Sequence, residues 1–291
     1  MQHPRIPDEK TVAALRKAHP AAFGPDPATR RRRALALALP AALFLWCLWD
    51  FDATPLRLWQ GFGRLGEVLS FMLPPHVGFD LRELGEIARG LGETLSIAFL
   101  GTILGAMVAL PLSFLGAGNI NRLPLLRFGI RRGFDVIRSF ETLILALIFI
   151  RAFGLGPLAG VLAIAVGEIG VLAKLYAEAI ENISKKPVEG VTAAGGSRPQ
   201  SIRFGVLPQV VPVLLSITLY NFESNVRSGT ILGIVGAGGI GFLLSDRIKA
   251  FRWDEAWSII ILIIVMVFIV DWISGKLREH LIRGGADTKI E

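Results

Sequence analysis

Hydrophobic positions in this chain come in long blocks rather than in alternation. Runs without Asp, Glu, Lys or Arg occupy 34–49, 94–121, 204–222, 228–245 and 256–270, and two more stretches, 135–153 and 157–178, stay strongly apolar despite a few charges. A membrane-crossing helix needs roughly 20 mostly apolar residues at about 1.5 Å each. The blocks therefore predict an all-α integral membrane protein. The block 228–245 stands apart, because SGTILGIVGAGGIGFLLS holds six glycines. Each glycine weakens a helix interior by about 1 kcal/mol relative to alanine, and irregular backbone at membrane depth is tolerated where protein or a watery cavity covers it. This segment is expected to be a broken, re-entrant or periplasmic-face element. Six spans remain.

Composition agrees. Of 291 residues, 52% are apolar and 19% charged, and the mean hydropathy is +0.55. A soluble domain carries about 25% charged residues. The single cysteine, Cys47, excludes a disulfide scaffold, and His3, His19, His76 and His280 are too scattered for metal-ligand spacing. Basic residues 30–33 precede the first block, as in a signal peptide, but a polar arm comes first and no small-residue cleavage site follows Trp49. It reads as an anchoring span.

Charge then orients the spans. Residues 1–33 hold eight basic and three acidic side chains, and the segment 116–134 holds Arg122, Arg127, Arg131 and Arg132 with no acid. Lys185, Lys186, Arg198 and Arg203 face Glu181 and Glu189 in 179–203, and the tail 275–291 has four basic and three acidic residues. These segments alternate with poorer ones, which places them on the cytoplasmic side. The expected organisation is a cytoplasmic arm (1–33), an anchoring span (34–50) and a periplasmic segment (51–90). A core (91–275) follows, with spans near 91–115, 135–153, 157–178, 206–226 and 256–274 and a cytoplasmic loop over 179–205. A cytoplasmic tail (276–291) ends the chain.

Charged residues inside spans are informative because each costs at least about 2.5–3.5 kcal/mol in lipid. Lys174–Glu178 and Glu223–Arg227 have i,i+4 spacing, which lets each pair neutralise itself along one helix. Glu168 sits midway along its span with no local partner, so it is expected to face a subunit interface or an aqueous path. Arg138, Glu168, Lys174, Glu223 and Arg227 are the candidates for lining a path, with salt bridges as the structural alternative. Gly101-x-x-x-Gly105 and Gly156-x-x-x-Gly160 read as helix contact faces. Gly236-Ala237-Gly238-Gly239-Ile240-Gly241 has the dinucleotide spacing but lacks a preceding strand, so close packing or a bend is the better reading. The chain has no phosphate-binding loop of the G-x-x-x-x-G-K-[ST] kind and no concentrated basic patch for nucleic acid.

The loop ENISKKPVEGVTAAGGSRPQSIRFGVLPQ carries the sharpest signal. Pro187 suits a helical first turn and Glu189 suits its positive end. Gly195-Gly196 can stop that helix, and Pro199 can start a second. A helical hairpin projecting from the membrane is expected.

This loop resembles the EAA motif of ABC-importer permease subunits, with Glu189 at the Glu position, Gly195 at the Gly, and Leu207-Pro208 at the closing Leu-Pro. Gly190 and Val191 replace the two alanines, and Gly205 stands where the motif has Ile. Arg138-Ser139, the run 142–150, Gly154–Gly160, Lys174–Glu181 and Asn225–Phe242 are similar to phosphonate-uptake permeases. The resemblance covers about residues 90–275. It implies a type I importer fold and a membrane subunit that passes phosphonate or a related small phosphorus oxyanion. It implies that this chain is not itself an enzyme and binds no cofactor, with ATP and Mg held by partner ATPases. The implied partners are two ATP-binding-cassette subunits, a second permease (a copy or a paralogue) and a periplasmic binding protein, within the lipid of a bacterial inner membrane. Glu189, Gly195, Gly196, Arg198, Leu207 and Pro208 would then shape ATPase coupling. Gly233, Gly236, Gly238, Gly239 and Gly241 would form a gate or scoop on the periplasmic side. Two alternatives stand beside this: a permease of the same kind for phosphite, phosphate, an amino acid or a quaternary amine, and an ion-coupled secondary transporter. The second would call for a mirrored pair of broken helices, and the first half of the chain has no second Gly-broken segment.

Overall fold

The computed structural model describes residues 27–73, 75, 76 and 78–287, with positions 13, 14 and 18. Most of the expected cytoplasmic arm and the last four residues of the tail lie outside the described residues. The chain divides into two compact units, 1–70 and 71–291. In the first, α1 (Pro27–Asp50) is long and apolar enough to cross a membrane and α2 (Pro55–Met72) follows after a tight turn. Asp52 occupies the left-handed region at φ 51° in that turn, and Thr54 Oγ1 accepts from the Arg57 N–H at 3.3 Å, capping α2.

The second unit is a bundle. Its helices are α3 (Leu81–Gly116), α4 (Pro124–Arg138), α5 (Thr142–Phe153), α6 (Pro157–Glu181), α7 (Lys185–Ala193), a single turn α8 (Arg198–Gln200), α9 (Leu207–Ile234), α10 (Ile240–Lys249) and α11 (Trp253–Asp287). No strand occurs among the described residues. Four of these, α3, α6, the stretch Arg198–Ile234 and α11, have the length and apolarity of a span, which with α1 makes five. At 36 residues, α3 is about 54 Å long and starts well before the apolar run. Its first turns carry Arg82, Glu83, Glu86 and Arg89, and the Asp80 N–H donates to Glu83 Oε2 at 3.2 Å, closing the N-terminus.

The stretch expected as a single helix over 135–153 is two helices, α4 and α5, interrupted at Ser139–Glu141. No Gly or Pro marks the interruption. Ser139 Oγ instead donates to Val136 O at 2.6 Å, and the Ser139 and Phe140 N–H groups turn back to Val136 and Ile137 at 3.1 and 3.3 Å. Such local side-chain bonds compete with helix propagation. With 12 residues, α5 is about 18 Å long, too short to cross alone. Five described helices rather than six therefore have the length of a span, and the C-terminal half of α4 runs antiparallel to α6. Arg131 meets Glu181, Phe134 packs near Ala177 and Ile137 lies against Gly170.

The most buried span is α6, and its small residues let neighbours approach. A Cβ on Gly101 would come within 2.7 Å of the Ile164 side chain, and one on Gly105 within 2.5 Å of Glu168 Cβ. Both glycines of that pair therefore serve the α3–α6 contact. The other expected pair divides its roles. Gly160 packs against Ala237 and Ile97, whereas Gly156 is a turn residue at φ 140° whose N–H donates to Gly236 O at 3.0 Å. The apolar core continues through Leu172, Tyr176, Ile180, Val210 and Leu214 toward one end of the bundle. Ile87, Ile240, Leu244 and Ile259 continue it toward the other.

Candidate functional site

The loop after α6 folds into the expected hairpin. Ser184 precedes α7, and the Gln209 side chain holds that corner: its Oε1 accepts from Ser184 N at 3.1 Å and its Nε2 donates to Gly205 O at 2.6 Å and Ser184 O at 3.2 Å. The helix starts at Lys185, two residues before Pro187. Glu189 is thus its fifth residue, exposed and just past the first turn where the helix dipole would favour it most. At the other end, Gly195 takes φ 81°, its N–H donates to Thr192 O at 3.0 Å and the Gly196 N–H donates to Val191 O at 2.9 Å. This is a Schellman termination. A Cβ on Gly196 would come 2.7 Å from Val191 Cγ1.

Ser197 then opens the second turn, its N–H donating to Gln200 Oε1 at 2.7 Å. A π-helical turn, Ser201–Val206, leads into α9, where Leu207 and the exposed Pro208 are the first residues. The departure from the motif at Gly205 has a steric reason. A Cβ there would lie 2.9 Å from Val188 Cα, so this turn rests directly on the α7 backbone. Between the hairpin and the loop after α3 lies a cleft of about 450 Å³, lined by Arg122, Glu181, Lys185, Glu189 and Arg198 among others. Glu189 and Arg198 share that cleft, whereas Gly195, Gly196, Leu207 and Pro208 are not part of its lining.

The glycine segment is irregular over a short stretch. Gly229 and Gly233 belong to α9, and Gly241 to α10. Only Val235–Gly239 departs from helix, with Gly236, Gly238 and Gly239 at φ 101°, 84° and 77°. The loop follows a helix rather than a strand, so the dinucleotide arrangement is absent at this position. Ala237 is buried, the Ile240 N–H donates to Thr94 Oγ1 at 2.9 Å, and Thr94 in turn donates to Gly90 O at 2.9 Å. A Cβ on Gly238 would come 2.9 Å from Pro157 N, and one on Gly241 would overlap Thr230 O. The segment is a tightly packed plug where α3, α6, α9 and α10 meet.

The charged residues inside the bundle pair across helices. Lys174 does not use Glu178 but donates to Asp135 Oδ1 on α4 at 2.8 Å, because α4 packs along that side of α6. Glu223 and Arg227 are 3.8 Å apart, yet their closer partners lie on α11: Arg278 to Glu223 at 2.8 Å and Arg227 to Asp271 at 3.1 Å. Arg138 is exposed and enters no ion pair among the described residues. Glu168 is the most enclosed of these residues. It is 8% exposed, inside its own chain rather than on a face open to a partner. The Asn225 amide donates to Glu168 Oε1 at 2.9 Å and to Thr102 Oγ1 at 3.0 Å, a knot joining α6, α9 and α3.

Asp135, Thr94, Asn225, Gln209 and Arg278 escape sequence reasoning. All five pair with residues far along the chain, and only the rarity of polar groups in apolar runs hints at Thr94.

The model of the binding-protein-dependent transport system inner membrane component matches residues 101–282. The phosphite transport system permease protein PtxC of Stutzerimonas stutzeri is 36% identical over 239 residues, 82% of this chain and 84% of that one. The phosphate-import permease protein PhnE of Mycolicibacterium smegmatis is 38% identical over 243 residues; these are 84% of this chain, which spans only 42% of that relative's length. Among solved structures, an inward-facing MetNI methionine ABC transporter superposes with a TM-score of 0.62 at 21% identity, covering 70% of this chain and 99% of that chain. That likeness establishes the type I importer permease fold. The chain belongs to the family of binding-protein-dependent transport system inner membrane components.

Proposed function

We propose that this chain is the membrane subunit of an ATP-driven importer for a small phosphorus oxyanion such as a phosphonate, phosphite or phosphate. The observation that carries the reading is the 36% identity with a phosphite permease over most of both chains. The hairpin gives it a mechanism. A compact, glycine-terminated α7 braced by Gln209 is rigid enough to act as a lever, and its cleft offers charges of both signs to a docking ATPase. ATP and Mg would be held by two ATPase subunits on the cytoplasmic side. A second permease, identical or paralogous, would complete the pathway, and a periplasmic binding protein would supply cargo. Both termini would be cytoplasmic. Closure of the ATPases would move the hairpins and rock α6 and α9, and the glycine plug at the far end of α9 would open or close in response.

Glu189→Lys tests the docking step. The variant should insert in the membrane normally but lose co-purification with its ATPase and lose uptake. Normal co-purification with normal uptake would contradict the assignment.

A further inference from the structure

A strongly basic stripe runs along the α4–α6 groove, outside the hairpin and the glycine plug. Arg132, Asp135 and Arg138 follow one another at three-residue spacing on α4, and Lys174 faces them from α6. Asp135 is shared: Lys174 Nζ lies 2.8 Å from one oxygen and Arg132 Nη1 lies 3.2 Å from the other. Among the described residues Arg138 has no ionic partner, and neither Glu141 nor Glu178, each within a turn of a cation, forms an ion pair. Three cations thus surround one carboxylate.

The location makes that excess unusual. A Cβ on Gly170 would lie 3.0 Å from the Arg138 backbone N, which places Arg138 beside the middle of α6. At this depth an uncompensated charge is costly unless it meets water or an anion. The side chains remain reachable, with 64% of Arg132 and 38% of Lys174 exposed, and a cleft of about 60 Å³ opens between Arg132, Phe134, Asp135 and Lys174. The interruption at Ser139–Glu141 leaves Arg138 at the free end of α4, three residues beyond Asp135.

We infer that Arg132, Arg138 and Lys174 form a binding site for a phosphoryl oxyanion, with Asp135 as the resident carboxylate that such an anion displaces. Guanidinium groups match phosphoryl oxygens with a two-pronged fork, and a lysine adds a mobile point charge. A dianion would balance the local surplus, and Asp135 would hold the site closed when empty. The same chemistry is offered by a soluble phosphonate or phosphate passing through and by the headgroup of an anionic lipid. Only the first source rests on the proposed cargo.

The test uses the purified full chain in phosphatidylcholine nanodiscs. Equilibrium binding of inorganic phosphate and of methylphosphonate forms one arm, and retention of phosphatidylglycerol by native mass spectrometry forms the other. The inference expects at least one of these ligands to bind. Binding should weaken about tenfold or more in Arg138→Gln/Lys174→Gln, as loss of charge-assisted hydrogen bonds implies, and tighten in Asp135→Asn. Tighter binding is a gain that a misfolded variant cannot produce. Binding of the soluble anions identifies cargo as the source, and binding of phosphatidylglycerol alone identifies lipid. Absence of all binding, equal binding in the double variant, or weaker binding in Asp135→Asn overturns the inference. Neither arm needs ATP or transport, so failure here leaves the proposed function standing, and failure of that function leaves the lipid arm intact.

Discussion

At the scale of single residues, the bundle depends on polar contacts that cross long stretches of sequence. Asn225 is the donor for Glu168, so Asn225→Ala strips a buried carboxyl of its partner. A buried group left unsatisfied costs about 1–3 kcal/mol. The variant should melt several degrees lower in detergent, while the double change Glu168→Leu/Asn225→Leu should recover part of the loss, since removing both partners removes the unmet demand. A double variant no more stable than Asn225→Ala would contradict this view of the knot. Thr94 offers a similar test beside the glycine plug. It accepts the Ile240 N–H and donates to Gly90 O, so Thr94→Ser should behave as wild type, whereas Thr94→Val orphans a buried amide. The valine variant should show raised ATPase activity without binding protein in the reconstituted complex, and unchanged basal activity would count against a gating role.

At the scale of elements, the hairpin is where local chemistry dictates geometry most completely. Gly195 sits at φ 81°, where a Cβ is penalised by roughly 1 kcal/mol or more. Asparagine tolerates that region and β-branched residues do not. Gly195→Asn should therefore keep ATPase co-purification and uptake, and Gly195→Val should reduce both; equal behaviour of the two would show that the termination is not needed. This element was readable in the sequence because its signals are adjacent: Pro187, Gly195-Gly196 and Pro199 lie within thirteen residues. The spans were readable for the same reason, since apolar blocks report on helices one at a time. The interruption at Ser139–Glu141 was not, because serine bonding to Val136 O leaves no Gly or Pro as a marker. Nor was the pairing of Lys174 with Asp135, nor the closer partners on α11 that Glu223 and Arg227 have besides their own i,i+4 bridge. An i,i+4 rule knows only one helix, and packing of α4 on α6 and α11 on α9 supplied nearer partners. The donor to Glu168 was hidden on the same account, since it lies 57 residues away.

At the scale of the whole molecule, the proposed topology distributes charge by side. The four segments assigned to the cytoplasm contain twenty basic and eight acidic residues, although the chain's formal net charge is only +7. The hairpin and the glycine plug belong on opposite faces under this topology. Cys47 is the chain's only cysteine, so Cys47→Ser gives a clean background for labelling. In intact cells a membrane-impermeant maleimide should react with Ala250→Cys, beyond α10, and should spare Ala193→Cys in the hairpin until the membrane is permeabilised. The reverse pattern would invert the topology.

In the proposed mechanism, ATP hydrolysis on a partner drives a phosphorus oxyanion through this chain. The most direct measurement is uptake of radiolabelled methylphosphonate and phosphite into proteoliposomes holding the permease, its ATPase and its binding protein. Uptake should require hydrolysable ATP and all three components, and should vanish with Glu189→Lys. Uptake that persists without the ATPase and follows a proton or sodium gradient would contradict the claim.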